Sequence, residues 1–353
     1  MDRVFKNANI NGKITDITVC DGVIASLQKT SDTGTELYGA AVFPGLIDIH
    51  THGCMGQDTM DGDLSVIAAA QAQHGTTAFL PTTMTATGDR LRDITKDLPD
   101  TGTARALGYH LEGPYLSQAF AGAQSPALVR PFDAAEYASF RHVKMITLAP
   151  ECVCAGELQK IDAVVCIGHT ACDYDMAMQA FQNGAVGVTH ILNAMPPFHH
   201  RAPGVLGAAL DADVFVQCIC DGVHLHPATV RLLYRLFGKE RLVLISDSMR
   251  ATGLPDGDYE LGGQRVQVKE NIARLVDGTL AGSTSFLLDC VKKATAFGIP
   301  KDDALQMASS TPARQLHIRA GRLAPGYAAD FFAADAAMNV LQTVVGGKTV
   351  YRR

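Results

Sequence analysis

The amino-acid sequence predicts an α/β protein: a (β/α)8 barrel of the TIM type, joined to a small β-sandwich domain that the two ends of the chain form together. Short apolar runs typical of buried strands alternate with helical segments eight times, which is the pattern of a parallel barrel. Both ends of the chain have strand character instead, and neither end alone would cover its apolar face. The predicted barrel strands are Phe43–Ile49, Thr77–Pro81, Ala106–Leu111, Lys144–Leu148, Val164–Ile167, Gly187–His190, Val214–Cys220 and Leu242–Ile245.

The predicted helices begin and end at residues that favour helix termini. Asp133 and Glu136 have the spacing of a capping box, and glycine is common just after a helix because it adopts positive φ without strain. Proline is favoured in the first turn of a helix. The predicted helices are Leu64–His74, one opened by Asp133, Asp173–Asn183, Pro227–Gly238, Ser285–Phe297 and Asp302–Ala308, with strand-like pieces at Tyr259–Val268 and Ala273–Val276.

The small β domain is predicted to comprise residues 1–43 and 321–353, which leaves residues 44–320 for the barrel. Asp21-Gly22 predicts a tight hairpin turn, because both central residues of that turn need positive φ. Gly346-Gly347 predicts a second turn. The predicted strands of this domain are Val4–Ile10, Ile17–Cys20, Gly22–Leu27, Ala329–Ala334, Val340–Val345 and Thr349–Arg352.

Composition excludes several classes of protein. Apolar residues make up 47% of the 353 residues and the mean hydropathy is +0.08, which favours a large folded core over disorder. The net charge of −6 argues against nucleic acid or an anionic membrane as partner. No apolar run reaches the roughly 18–20 residues of a membrane span, and the N-terminus lacks a signal segment. Nine cysteines without paired spacing favour buried thiols. We therefore expect a soluble protein of a reducing compartment, the cytoplasm.

Metal-binding and acidic side chains recur where the predicted strands end. Since the C-terminal ends of barrel strands meet at one rim, we expect these side chains to converge. His50 and His52 are two residues apart and so point the same way on a strand. The six rim residues are His50, His52, Glu112, His169, His190 and Asp247.

Four imidazoles and one carboxylate at this rim predict a site for one or two divalent ions. Neutral imidazole is a common metal ligand, and zinc and iron both suit such a set. A metal of this kind lowers the pKa of bound water and polarises a carbonyl oxygen. Asp247 remains outside the ligand set and is a candidate for proton transfer. Its alternative role is that of a helix N-cap after the eighth strand.

The motifs that carry these residues resemble the amidohydrolase superfamily and, more narrowly, the N-acetylglucosamine-6-phosphate deacetylases. The resemblance extends over essentially the whole chain. The motifs are PGLIDIHTHG (44–53), HLEGP (110–114), IGHT (167–170), THILNAM (189–195), RAPG (201–204), DGVH (221–224), SD (246–247), LAGS (280–283) and PGYAAD (325–330).

The resemblance implies a metal-dependent hydrolase that converts N-acetyl-D-glucosamine 6-phosphate to glucosamine 6-phosphate and acetate. Metal-activated water would attack the acetamide carbonyl, with Asp247 as general base and then acid. The implied main metal site is Glu112, His169 and His190, and His50 and His52 would form a second site.

The resemblance also assigns the sugar phosphate to Asn193, Ala194, Arg201 and His224. In relatives, Arg201 and His224 can serve the neighbouring subunit, so a homodimer is expected. Arginine suits this role because its planar guanidinium binds phosphate through two hydrogen bonds.

One position departs from the family pattern. Relatives usually have a histidine twelve residues after the glutamate, where it hydrogen-bonds the acetamide carbonyl, and this chain has Gln124. A glutamine amide still donates a hydrogen bond but carries no charge. We therefore assign Gln124 to catalysis and substrate binding.

Three alternatives stay open. His199-His200-Arg201 resembles a run found in relatives that act on the galactosamine epimer. A cyclic-amide hydrolase of the hydantoinase or dihydroorotase type would need a modified lysine at the end of the fourth strand, but Lys144 is at its start. A non-catalytic phospho-sugar binding protein would have no need of Asp247.

Overall fold

A computed structural model describes residues 3–154 and 156–353 of the chain, so the first two residues of the predicted small domain lie outside the described part. The strands are, in chain order, β1 (Arg3–Ile10), β2 (Lys13–Cys20), β3 (Val23–Leu27), β4 (Thr35–Glu36), β5 (Ala41–Pro44), β6 (Leu46–Thr51), β7 (Gly53–Cys54), β8 (Gln57–Asp58), β9 (Thr76–Thr83), β10 (Arg105–Ala106), β11 (Tyr109–Glu112), β12 (Val143–Leu148), β13 (Val164–Ile167), β14 (Gly187–Val188), β15 (Phe215–Ile219), β16 (Leu242–Ile245), β17 (Gly257–Leu261), β18 (Gln264–Lys269), β19 (Ile272–Leu275), β20 (Phe331–Ala334), β21 (Val340–Val345) and β22 (Lys348–Arg352). The α-helices are α1 (Ser65–Gln73), α2 (Gly88–Thr95), α3 (Ala134–Tyr137), α4 (Tyr174–Gln182), α5 (Gly204–Asp211), α6 (Pro227–Arg241), α7 (Leu287–Ala296), α8 (Lys301–Met307) and α9 (Ser310–Gln315). Single turns of 3-10 helix lie at Thr59–Asp61, Gln118–Phe120, Pro150–Cys152 and Leu158–Lys160.

Eight parallel strands form the predicted barrel. β6 pairs with β9, and the sheet continues through β11, β12, β13, β14, β15 and β16. It nearly closes where Thr51 meets Ser248 and where the backbone N–H of Asp247 donates to the carbonyl of His50 at 2.9 Å. Apolar side chains fill the interior, as expected for a packed barrel: Ile47, Ile49, Ala78, Leu80, Met145, Cys166, Ile219, Val243 and Ile245. The (β/α)8 prediction is confirmed.

The predicted first strand, Phe43–Ile49, is wrong in one respect: the chain changes sheets at Gly45. β5 pairs antiparallel with β20, whereas β6 begins the barrel. A Cβ at Gly45 would lie 2.1 Å from Oγ1 of Thr77, so only glycine allows this close passage between the two sheets. The barrel strand therefore extends further than predicted and contains His50.

Two other predicted strands are shorter than expected. Ala106–Leu111 is divided into β10 and β11, because Gly108 between them has φ of 134°, which no strand conformation accommodates. Gly187–His190 is reduced to β14, so His190 lies two residues past the strand.

The two chain ends together build an extra β domain, as predicted, and in the described residues its strands form one eight-stranded sheet. Its strand order is β22, β21, β20, β5, β1, β2 and β3, with β4 beside β1. Asp21 and Gly22 have φ of 47° and 78°, which is the turn that the sequence predicts. Its core comprises Phe5, Ile17, Ile24, Val42, Phe331 and Val344. The β domain is thus made from both termini, next to the barrel.

A three-stranded antiparallel sheet, β17–β18–β19, is inserted between the last barrel strand and α7. The sequence predicts a single strand-like piece over Tyr259–Val268, but Gly262 and Gly263 (φ of 57° and 81°) turn it into a hairpin. Nε2 of Gln264 donates to the carbonyl of Ala123 at 2.5 Å. The insertion therefore packs against the loop that carries Gln124.

The predicted helices are present, but α2, α5 and α9 have no counterpart among them, and two of the predicted helices differ in detail. Asp133 caps α3 through the N–H groups of Ala135 and Glu136, but the predicted capping box is incomplete because the Glu136 carboxylate binds Arg130 instead. α6 continues to Arg241, although Gly238 breaks its helical geometry with φ of 61°. No helix in the described residues is both long and apolar enough to span a membrane.

Candidate active site

A cavity of about 360 Å³ opens at the rim where the barrel strands end. Its walls contain most of the residues that the sequence selects: His52, Glu112, Gln124, His169, His190, Asn193, Ala194, His224 and Asp247. His50 is fully buried beside His52. Arg201 is not among the lining residues.

The first potential metal site consists of Glu112, His169 and His190. Oε1 of Glu112 is 3.2 Å from Nε2 of His169 and 3.0 Å from Nε2 of His190, and the two Nε2 atoms are 3.1 Å apart. Nδ1 of His169 faces the carbonyl of Phe120 at 3.0 Å and must carry the proton. The lone pair of Nε2 is then directed at the centre of the group, which is how a metal ligand is oriented.

The second potential site is formed by His50, His52 and the same Glu112. The Nε2 atoms of His50 and His52 are 3.3 Å apart. Oε2 of Glu112 is 3.3 Å from Nε2 of His52, while its Oε1 is 3.5 Å from Nε2 of His50. Nδ1 of His52 faces the carbonyl of Thr82 at 3.2 Å, so Nε2 again has the lone pair. Glu112 is therefore shared by both groups.

These two groups fit divalent cations on physical grounds. Several imidazole nitrogens point at one another at about 3 Å, a contact in which only one of each pair can donate. All five residues are 5% exposed or less, so little water reaches them to relieve the arrangement. A cation between the nitrogens would satisfy them all, and imidazole with one carboxylate suits zinc or iron.

The carboxylate of Asp247 contacts the His50–His52 pair of this cluster. Its Oδ1 is 3.4 Å from Nε2 of His50 and 3.3 Å from Nε2 of His52. Although burial raises the pKa of this carboxyl, the charges of His50 and His52 and the hydrogen bond from His52 lower it to about 2. In the same way, burial raises the pKa of Glu112, but the neighbouring histidines hold it well below its ordinary value. Both carboxylates are therefore ionised at neutral pH.

The alternative role of Asp247 as a helix cap does not fit its surroundings. In the described residues no helix begins between β16 and α7, more than twenty positions later. The backbone is held instead by the N–H of Ser283, which donates to the Asp247 carbonyl at 2.6 Å. The carboxylate is therefore available to the cavity.

Three of the site residues have positive φ: His169 at 48°, His190 at 26° and Asp247 at 49°. This conformation costs a residue with a side chain about 1 kcal/mol or more. Each of the three lies two residues past the end of a barrel strand. The turn bends the chain so that the side chain lies over the barrel mouth.

Gln124 is held rigidly at the edge of the cluster. Its Oε1 accepts from the backbone N–H of Thr85 at 2.7 Å, and its Nε2 donates to Oε2 of Glu112 at 2.6 Å. Nε2 also donates to Sδ of Met84 at 3.7 Å, a weak acceptor, so these contacts fix the amide orientation. Sequence reasoning did not foresee the link to Glu112, because it depends on how two loops pack.

The residues selected for the sugar phosphate are only partly brought together. The amide of Asn193 donates to the carbonyls of His190 and Ile191, so its oxygen is turned away from these contacts. Nδ1 of His224 is 2.7 Å from Oδ2 of Asp221. Arg201 lies on an exposed loop, beside a different cavity, and its guanidinium contacts His200.

Comparison with known proteins agrees with the resemblance that the motifs indicate. Residues 41–350 match the model of the amidohydrolase family. An N-acetylglucosamine-6-phosphate deacetylase of Bacillus subtilis (strain 168) is 36% identical, over 88% of this chain and 85% of that protein. An N-acetylgalactosamine-6-phosphate deacetylase of Escherichia coli O157:H7 is also 36% identical, over 94% of this chain and 93% of that protein.

A solved structure of the same family is also similar to this chain along its whole length. The crystal structure of the N-acetylglucosamine-6-phosphate deacetylase of Thermotoga maritima superimposes with a TM-score of 0.91 at 34% identity, covering 99% of this chain and 100% of that one. Such agreement in sequence and fold includes both the barrel and the terminal β sheet. The chain therefore belongs to the amidohydrolase superfamily and, within it, to the N-acetylglucosamine-6-phosphate deacetylase family.

Proposed function

We propose that this protein hydrolyses the acetamide of N-acetyl-D-glucosamine 6-phosphate, releasing acetate and glucosamine 6-phosphate. The observation that carries the proposal is the convergence of Glu112, His169, His190 and Asp247 in one cavity. The names of the relatives support the substrate. Hydrolysis of an amide needs an activated carbonyl, a water molecule and a group that moves protons.

Two ligand groups, Glu112 with His169 and His190, and His50 with His52, would hold one or two divalent ions. An ion there would polarise the acetamide carbonyl and lower the pKa of water. Glu112 would belong to both sites, since one of its oxygens faces each pair of histidines.

Asp247 would carry the proton in both halves of the reaction. As a general base it accepts a proton from the attacking water while the new C–O bond forms. As a general acid it returns that proton to nitrogen while the C–N bond breaks, because an amine anion is a very poor leaving group. Its carboxylate is ionised before the reaction, as a general base requires.

Asn193, Ala194 and His224 line the cavity and would hold the sugar and its phosphate. Arg201 is outside the cavity of its own chain, and we propose that it completes the cavity of a neighbouring copy in a homodimer. We also propose a cytoplasmic location, which is supported by six buried thiols among the nine cysteines and by the net charge of −6.

Arg201→Ala should raise KM for the phosphorylated sugar by the worth of a charged hydrogen bond, about 1.5–3 kcal/mol, and should change kcat little. Steady-state kinetics on N-acetylglucosamine 6-phosphate and on unphosphorylated N-acetylglucosamine would measure this. Arg235→Ala is the control, because Arg235 is also an exposed arginine but lies on α6. An Arg201→Ala protein with wild-type KM values for both sugars would refute the role of Arg201 in phosphate binding.

Gln124→Ala should lower kcat by about 10²–10³-fold if the N–H that contacts the weak acceptor Sδ of Met84 turns to the acetamide oxygen when substrate binds. Metal content must be measured alongside, because the same amide binds Glu112. Gln264→Ala is a matched control, since Gln264 contacts the same loop through Ala123. An unchanged kcat would show that Gln124 does not stabilise the transition state. A large gain in Gln124→His would indicate tuning for another substrate.

The galactosamine epimer is the second candidate substrate. The Escherichia coli relative with that name is as similar to this chain as the Bacillus subtilis one. A cyclic-amide hydrolase is less well supported, because β12 ends in Leu148 and its lysine is at the second position. A sensor without turnover is opposed by the position of Asp247 beside His50 and His52 of the second potential metal site.

The test of the proposed function is acetate release from four sugars: N-acetylglucosamine and N-acetylgalactosamine, each with and without the 6-phosphate. We expect the highest kcat/KM for N-acetylglucosamine 6-phosphate. A higher kcat/KM for N-acetylgalactosamine 6-phosphate would identify that sugar as the substrate instead. Release of no acetate from any of the four sugars would refute the deacetylase proposal.

A further inference from the structure

One buried histidine of the barrel has no part in the proposed reaction. His110 lies on β11, two residues before Glu112, and is fully buried. It belongs to neither potential metal site. Nδ1 of its ring faces the backbone carbonyl of Ile49 at 3.0 Å. Because a carbonyl oxygen can only accept, Nδ1 must carry the proton and donate it to Ile49.

The other nitrogen of this ring begins a chain of hydrogen bonds across the barrel. Nε2 of His110 is 2.7 Å from Oγ1 of Thr147 on β12, and that oxygen is 2.6 Å from Oγ1 of Thr189. Both threonines are fully buried. A hydroxyl both donates and accepts, so the two contacts can be hydrogen bonds at the same time. We call the four residues Ile49, His110, Thr147 and Thr189 the His110 chain.

Both ends of the His110 chain are next to proposed metal ligands in the sequence. Ile49 precedes His50, and Thr189 precedes His190. In the middle of the chain, the ring of His110 packs against the ring of His50, with centroids 4.7 Å apart and planes at 77°. The chain therefore connects three ligand-bearing segments of the barrel through side chains.

The segment that carries His169 packs against the same chain. A Cβ at Gly168 would lie 3.0 Å from Cγ2 of Thr147 and 3.0 Å from Cβ of Thr189. Contacts that short are uncommon for a Cβ atom, so the two threonines fill the space beside Gly168. The residue directly before His169 is thus held against the middle and the end of the His110 chain.

The backbone ladder of the barrel is irregular at two of these ligands. The pairing of β6 with β9 shifts register between Asp48 and Thr51, on either side of His50. β14 ends at Val188, two residues before His190. Since regular strand pairing does not extend through these positions, side-chain hydrogen bonds must hold them relative to each other.

We propose that His110 is a positioning residue for the metal centre: through the His110 chain it fixes the segments that carry His50, Glu112 and His190 relative to one another. This inference rests on the metal site of the proposed function and adds to it a residue outside both ligand groups. The physical reason is geometric, because metal–ligand distances are defined to within about 0.2 Å. Small relative shifts of the segments would therefore weaken binding.

Two substitutions break the chain in different places. His110→Phe keeps a ring but loses both of its hydrogen bonds, and Thr147→Val removes the hydroxyl that binds the ring. In each variant we expect the dissociation constant for Co²⁺ to rise by about 10–100-fold, as is typical when a residue that orients a metal ligand is replaced. The absorption spectrum of bound Co²⁺ should change as well, because it depends on coordination geometry.

The constants are measured by competition with a chelator, on protein that circular dichroism shows to be folded. Thr311→Val is the matched control: Thr311 is also fully buried, but its hydroxyl donates to the carbonyl of Lys239 at 2.6 Å. This variant should bind Co²⁺ as the wild type does. Wild-type affinity and spectrum in a folded His110→Phe or Thr147→Val protein would overturn the proposal, and so would an equal loss of affinity in Thr311→Val.

The double variant tests whether the two residues act together. His110→Phe and Thr147→Val break the same hydrogen bond, so their effects on Co²⁺ affinity should be clearly less than additive. Full additivity would contradict a connected chain. None of these measurements needs a substrate, so they are independent of acetate release by the wild type, which decides the proposed function.

Discussion

Asp247→Asn should leave the fold, the metal content and substrate binding intact while kcat falls by about 10³-fold or more. General acid–base catalysis contributes about 10²–10⁴-fold to a typical reaction, and in the proposed reaction one carboxylate would serve both proton transfers. Asparagine keeps the shape of the side chain but accepts no proton. In the described residues, the only other carboxylate in the cavity wall is that of Glu112, which the two histidine pairs share.

The measurement is a pre-steady-state and steady-state comparison of acetate release, with metal content determined on the same samples. Circular dichroism and substrate binding would establish that Asp247→Asn is folded and loaded. Near-normal turnover in a loaded variant would contradict the assignment of Asp247. Loss of metal together with activity would instead place Asp247 among the ligands.

Glu112→Gln should abolish activity by a different route, through loss of metal. One carboxylate oxygen faces His169 and His190, and the other faces His52. Because both ligand groups share this charge, its removal should weaken metal binding at both, by more than the roughly 10–100-fold typical of an outer-shell residue. Metal content by elemental analysis should fall together with kcat.

Glu151→Gln is a matched control for that variant. Glu151 lies near the same rim, where its carboxylate accepts from Oγ1 of Thr170 and the N–H of Ala171, but it is not in either ligand group. It should keep its metal. A fully loaded and active Glu112→Gln protein would contradict the shared-ligand arrangement.

The barrel could be predicted because its strands and helices alternate with a regular period. The error at Phe43–Ile49 arose because Val42 to Ile49 is nearly continuous in apolar character. Nothing local indicates that the chain changes sheets there. The change depends on Thr77, which leaves room only for glycine at position 45, and such a contact is tertiary.

The convergence of the candidate ligands could be predicted as well, since each of them lies at or near the end of its own predicted strand. The hydrogen bond from Gln124 to Glu112 could not be predicted. It joins residues twelve positions apart and depends on how their loops pack. Asp221 and His224 both belong to the DGVH motif, but a spacing of three residues alone does not predict that their side chains are in contact. The position of Arg201 outside the cavity of its own chain was not predicted either, because the motif around it does not show where its loop lies.

The most direct test of the central claim measures acetate release and bound metal on one preparation, before and after treatment with a chelator. The account predicts that the protein binds one or two divalent ions and deacetylates N-acetylglucosamine 6-phosphate. It also predicts that both properties disappear together on chelation and return together when zinc or iron is added. Full deacetylase activity in a protein shown to be free of metal would contradict it.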